Sequence, residues 1–286
     1  MFCPLFLPAP EGPYSLAFGP WRVQTALAGL SVRRLGRRAC GADAFKQLRD
    51  FIDQDLRLFS DKLIYSYNAF IPIFDYLFHN PKPNEKSRGY MRACYYKSQF
   101  FGWYSGSTDT ILNGLHGIVG IVLPGGFPLL AIKEYFRTKF RGVELMAHHL
   151  QDKRLRAAIL SMVYVERWGA SPFKVLYKGN EPHIDHIYPQ YMLRTHLEQN
   201  SDQINDIGNL RFVGATDNCR KRGELPASYF SRLKAYKVDI EKHLLVPEFS
   251  ASPEKMLFDA ATYAHFREQR RKIIWEIGKR VVDPEV

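Results

Sequence analysis

Cysteine is scarce in this chain. The 286 residues hold four, Cys3, Cys40, Cys94 and Cys219, with no close pair among them. That spacing excludes a CxxC-type zinc site and a dense disulfide framework, and it fits a reducing cytoplasm. Long apolar runs are missing too. The longest, Ile118 to Ile132, is broken by Pro124-Gly125-Gly126 and again by Pro128, so it is too short and interrupted to cross a membrane. The apolar start, Met1 to Pro20, has no leading positive region and makes a poor secretory signal. Acids are in deficit, 29 against 40 Lys and Arg, for a net charge of +11. Such a balance favours polyanionic partners, nucleic acid or an acidic membrane surface, without choosing between them. What is abundant is apolar and aromatic: 46% hydrophobic and 14% aromatic residues give a globular chain with a sizeable core.

Residues 1–40 differ from the rest. They hold five prolines, the cluster Arg33, Arg34, Arg37 and Arg38, and one acid, Glu11, and read as a poorly ordered leader. Residues 41–178 read as helical. Phe45, Leu48, Ile52, Leu56 and Phe59 recur at helical spacing over 42–59. Asp61 is placed to cap a second helix whose apolar face runs from Leu63 to Leu77 and ends before Pro81 and Pro83. An aromatic segment covers Tyr90 to Tyr104, Ser105-Gly106-Ser107-Thr108-Asp109 reads as a turn and a helix start, and Glu134–Leu150 and Lys153–Trp168 continue in helical style. The aromatic stripes are read as core.

After a Gly- and Pro-marked linker the texture changes in residues 179–286. His183–Tyr188 and Leu210–Val213 read as short strands, Met192–Gln199 and Pro226–Leu244 as helices, and Pro253–Val281 as a long helix. Phe258, Phe266, Ile273 and Ile277 mark that helix's inner face, and Arg267, Arg270, Arg271 and Lys272 its outer one. The fold class is α+β and mostly helical.

The chemistry concentrates in His183-Ile184-Asp185-His186-Ile187-Tyr188-Pro189-Gln190, followed by Gly208-Asn209-Leu210 and by Asp217-Asn218-Cys219-Arg220-Lys221-Arg222-Gly223. Phosphodiester hydrolysis needs a deprotonated water, neutralised phosphoryl oxygens and a stabilised leaving oxygen. A histidine suits the first task and one hard dication the other two. Asp185 and the Asn218 amide oxygen are ligands of the type Mg²⁺ accepts, alongside retained waters. Neighbours on a strand point to opposite faces, so Asp185 and His186 share a site only where the strand bends or twists.

These residues carry a resemblance. Asp185-His186-Ile187-x-Pro189-Gln190, with Asn209 and Asn218 nine positions apart downstream, resembles the HNH nucleases of the His-Me finger (ββα-metal) superfamily. It is closest to the C-terminal nuclease domain of GmrSD-type, modification-dependent restriction enzymes. Looser similarity extends upstream through Leu63-Ile64-Tyr65-Ser66-Tyr67-Asn68 and the Ser105–Asp109 turn, to cover about residues 55–282. The resemblance implies an HNH ββα-metal domain with a long C-terminal helix over 179–286. It implies His186 as general base, Asn209 as a brace for the loop that orients it, and Asp185 and Asn218 as ligands of one Mg²⁺ or Mn²⁺. Arg220, Lys221 and Arg222 would meet DNA phosphates, and His183 is an extra candidate ligand. An Asn stands where many relatives have a final His. No counterpart of the family's nucleotide-using half is found, so no nucleotide requirement is expected of this chain alone, and a separate nucleotide-using subunit or a homo-oligomer is the expected protein partner.

The expected activity is metal-dependent DNA cleavage in restriction and defence, in the cytoplasm and away from any membrane. Blander readings stand beside it. His186 alone could be a satisfied core histidine, Asn218 a turn cap, Asn209 plain turn chemistry, and Arg220–Arg222 a solvated charge run. His148-His149 is given no role. At the level of the whole chain, the alternatives are a catalytically inactive or truncated nucleic-acid-binding remnant, and a zinc hydrolase using Cys219, His183 and His186.

Overall fold

A computed structural model describes residues 38–58, 60, 63–121, 125–139, 141–169 and 182–284. The chain is mostly helical, with one two-stranded sheet among the described residues. Helix α1 (Arg38–Asp50) runs on into a π-helical turn, Phe51–Leu56, and stops where Arg57 turns left-handed. Then come α2 (Phe70–His79), α3 (Glu85–Phe100), α4 (Thr108–Val119), α5 (Leu129–Thr138) and α6 (Arg156–Trp168). Local chemistry sets several of these limits. The Asn84 side chain accepts the Ser87 amide at 2.8 Å and starts α3. Gly169, at φ 59°, ends α6 as a left-handed cap.

Several helices come out shorter than their sequence patterns. The segment 134–150 breaks after α5, and a 3₁₀ turn, Ala147–Gln151, closes it. The break is built around Gly142, whose carbonyl accepts the Trp103 indole N–H at 2.7 Å and where a Cβ would meet the Phe101 ring at 2.9 Å. The second predicted helix begins only at Phe70, after a 3₁₀ turn over Tyr67–Ala69. Asp61, its expected cap, and the leader up to residue 37 lie outside the described residues. The segment 226–244 splits at Lys237, which takes φ 59°.

The second half contains β1 (Pro182–His186), α7 (Gln190–His196), α8 (Ser201–Ile204), β2 (Leu210–Gly214), α9 (Ala215–Lys221), α10 (Pro226–Ala235), α11 (Glu241–Leu244), α12 (Pro247–Ala251) and α13 (Ala260–Val282). Helix α13 starts later than the sequence pattern, at the Asp259 cap, whose carboxylate accepts both the amide and the hydroxyl of Thr262 at 2.8 Å. It then ties two cores together. Tyr263 and Phe266 fill a smaller core with Ile187, Tyr188, Leu193, Phe230, Leu244 and Phe249. Ile274, Ile277, Val281 and Val282 enter the large aromatic core of α1–α6. Leu210 and Phe212 of β2 enter that same large core, so the strands bearing the motif rest on the upstream helices. The expected boundary between 178 and 179 itself lies outside the described residues.

Candidate functional site

Strands β1 and β2 pair antiparallel, with Asp185 opposite Arg211 and His186 opposite Leu210. Helix α9 begins directly after β2 and packs against both strands. The result is a β–β–α unit in which Asp185 and His186 occupy the last two positions of the first strand.

Asp185 is buried, and its Oδ2 accepts from two cations: Arg211 Nε at 2.9 Å and Lys221 Nζ at 2.9 Å. Lys221 Nζ also donates to the carbonyls of His186 and Ile187, which fixes the end of α9 at the end of β1. Arg211 is fully buried between the rings of Tyr229 and Phe230, 4.9 and 5.0 Å from their centroids, and donates to the Tyr229 hydroxyl at 3.1 Å. Burial, reinforced by Arg211, pushes the Lys221 ammonium down to about 8. One carboxylate faced by two cations leaves a net positive charge behind the strand. The other carboxylate oxygen, Oδ1, neither takes part in a described hydrogen bond nor is sealed from solvent.

His186 meets a different set of partners, as strand alternation requires. Its Nε2 lies 3.0 Å from Asn205 Oδ1. The Asn205 amide nitrogen donates to the Ser201 carbonyl at 2.8 Å and to its hydroxyl at 3.2 Å, so the amide oxygen is the atom turned to the imidazole. An amide oxygen only accepts, so Nε2 carries the proton and Nδ1 keeps the lone pair. Nδ1 is not among the buried unpartnered atoms and opens to solvent. Burial lowers the imidazole's proton affinity below the usual range, with the Asn205 bond and Asp185 opposing. The ring is therefore neutral, oriented and accessible at one nitrogen, the state a general base requires.

Asn209 is wholly buried and stitches the bend after His186. Its Oδ1 accepts the Tyr188 amide at 2.8 Å, and its Nδ2 donates to the carbonyls of Tyr188 at 3.2 Å and Ile204 at 2.9 Å. Gly208 beside it lies so close to α13 that a Cβ would come within 2.3 Å of the Arg267 carbonyl oxygen. Arg270, expected on the outer face of that helix, is instead fully buried. It donates to the carbonyls of Ile207 at 3.0 Å, Gly208 at 3.2 Å and Leu210 at 2.5 Å. The tight turn before β2 buries these carbonyls, of which only that of Ile207 is also given a backbone donor, the Leu210 amide, and a buried carbonyl needs a donor.

The rest of the motif divides. Asn218 is half-buried, one turn before Lys221 on the same side of α9, and its side chain makes no hydrogen bond among the described residues. Arg220 and Arg222 are exposed, Arg220 lying 3.9 Å from Asp217. Lys221, expected to face phosphate with them, points inward to Asp185. His183 and Cys219 are exposed. Asn205, Arg211 and Tyr229 carried no signal in the sequence, since only the strand register brings Arg211 opposite Asp185. As a test of fit for a small hard dication, the open Asp185 Oδ1 and the unbonded Asn218 amide oxygen are donors of the right kind. The two cations on Oδ2 make that binding weak. No protein-family model matches the sequence, and no curated protein matches it.

Proposed function

We propose that this chain is a metal-dependent DNA endonuclease of the HNH type, cutting foreign or modified DNA. The observation that carries the reading is the β–β–α unit that ends its first strand in Asp185-His186, with an accessible imidazole nitrogen fixed as the lone-pair atom. In this reading His186 Nδ1 takes the proton from the attacking water, and Asn205 keeps the ring in the tautomer that can do so. Asn209 holds the bend that aims the ring. Asp185 Oδ1 and Asn218 hold one Mg²⁺ or Mn²⁺, which when bound supplies the charge that stabilises the phosphoryl and leaving oxygens. Exposed Arg222, and Arg220 with its loose exposed pairing to Asp217, meet phosphates in this reading. The products are a 5′-phosphate and a 3′-hydroxyl.

A plasmid-nicking assay in Mg²⁺ and in Mn²⁺ tests this. His186→Ala should lower the rate by about 10²–10⁴, the usual contribution of a positioned base. Equal nicking by wild type and variant removes His186 from the chemistry. A second reading, a nucleic-acid-binding module without cleavage, is favoured by one observation: Asp185 already has two cationic partners. Salt-sensitive DNA binding by wild type with no nicking in either metal selects it.

A further inference from the structure

A cavity of about 440 Å³ lies among the upstream helices. Every residue that lines it falls between Tyr65 and Leu155, so it shares none with the site around His186. Its volume is within the range of roughly 300–1,000 Å³ that small-molecule sites occupy. Much of its wall is ring: Tyr65, Phe100, Phe101, His148 and His149. The two histidines, neighbours on the 3₁₀ turn Ala147–Gln151, bring their rings to 4.1 Å, and His149 stands edge-on to Phe101 at 5.0 Å. The His149 Nδ1 is bound to the Met146 backbone at 2.9 Å. Its Nε2 and both nitrogens of His148 make no hydrogen bond among the described residues. The wall is also held in place. Gln99 Oε1 accepts the amides of Tyr65 and Ser66 at 2.7 and 2.8 Å, and Trp103 holds Gly142, another lining residue.

The lining holds one acid and one arginine, and they are paired. Arg154 donates to Asp152 from Nε at 3.1 Å and from a terminal nitrogen at 2.6 Å. The same guanidinium lies over the Tyr65 ring, 5.7 Å from its centroid. Burial, with His148 beside it, holds the His149 imidazole below its usual range. Arg141, next to the wall, is spent on the Ser105 hydroxyl and carbonyl at 2.7 and 2.6 Å. The wall thus has little net charge to offer a phosphate or another small anion. What it offers is ring faces, a guanidinium plane, and donors set beside acceptors. Those groups suit a flat, uncharged heterocycle with polar edges, which stacks on rings and guanidinium planes and hydrogen-bonds around its rim.

We propose that this cavity binds a nucleobase, carried by a free nucleoside or by a single strand. The Trp103 indole N–H, which donates to the Gly142 carbonyl at 2.7 Å, reports occupancy by NMR. The full chain in EDTA is titrated with adenosine, guanosine, cytidine and thymidine, and separately with a short single-stranded oligonucleotide. A saturable shift of that resonance is expected. If nucleosides produce it, the ligand is a free nucleoside; if only the oligonucleotide does, it is a base of a strand. Tyr65 and Arg154 are exposed, so Tyr65→Ala and Arg154→Ala should fold. Each should weaken binding by roughly 5- to 150-fold, the effect of losing one stacking partner. Tyr65→Phe, which keeps the ring, should bind as wild type does. If Tyr65→Ala does not fold, Arg154→Ala carries the test. No saturable shift with any nucleoside or strand overturns the proposal. So does wild-type affinity in the folded alanine variants, or indole binding as tightly as the best nucleoside. None of these outcomes involves His186, so the nuclease reading is decided separately by the nicking assay.

Discussion

The two cores of this molecule are made differently. The large one is an aromatic stack: Phe70 lies on Tyr95 at 5.2 Å, and Trp103 on Phe136 at 4.0 Å. It buries phenol hydroxyls without partners, those of Tyr90, Tyr95, Tyr96 and Tyr104, beside a few satisfied polar groups such as Lys97 on Asp283 and Gln99 on the Ser66 backbone. The motif region buries ions and amides, Asp185 with Arg211 and Lys221, and Asn209 and Arg270 on backbone carbonyls. The first arrangement is non-directional and tolerates drift. The second holds only while each donor keeps its acceptor. The candidate site lies in the region that fixes atoms and is set against the region that supplies most of the apolar burial.

The largest effect expected from breaking this contrast comes from Asp185. Asp185→Ala leaves two buried cations unpaired and should cost about 3–5 kcal/mol in urea unfolding. Replacing the trio together, Asp185→Leu with Arg211→Met and Lys221→Met, should cost less than the single change, because no buried charge remains. Nicking should vanish in both. A triple variant less stable than Asp185→Ala would show that the ions are not the source of the effect.

Two glycines sharpen the comparison at a smaller scale. A Cβ at Gly89, inside α3, meets nothing within 4 Å, so Gly89→Ala should gain about 0.5–1 kcal/mol from helix propensity alone. A Cβ at Gly208 meets backbone, and Gly208→Ala should lose about 1–3 kcal/mol while lowering nicking per folded molecule. Thermal melts of both variants check the pair, and the same sign in both would erase the distinction.

What could be read beforehand follows this division. Helical spacing found α1 and α6 because it records which face meets apolar neighbours, and α-helices bury a stripe. It overran after Thr138 and at Lys237, where single residues override a continuing apolar pattern. The strand pair was legible in the short apolar, β-branched runs around Asp185-His186 and after Asn209, while the short helix α9 was foreseen only as part of the ββα fold that the resemblance implies. Arg270 was misjudged because spacing cannot tell a charged residue facing solvent from one facing buried carbonyls. Arg211 and Asn205 were invisible since their roles come from register and from Ser201, neither local to His186.

The smallest effect concerns the proton on His186. Burial holds its folded pKa below the ordinary value near 6.5. Between those two values the unfolded chain binds a proton that the folded chain does not, so stability falls as pH drops through about 6.5 towards the folded pKa, then levels off. The contribution is at most about 1.4 kcal/mol per pH unit of separation. Urea unfolding of wild type and His186→Phe at pH values from about 5 to 7 should differ in slope only inside that window. Asn205→Asp puts a carboxylate where Nε2 now meets an amide oxygen at 3.0 Å. It should raise the imidazole pKa and close or reverse the window, because an opposite charge favours the protonated ring. An imidazole titration by NMR that is the same in wild type and Asn205→Asp would mean that the 3.0 Å contact does not govern the ring.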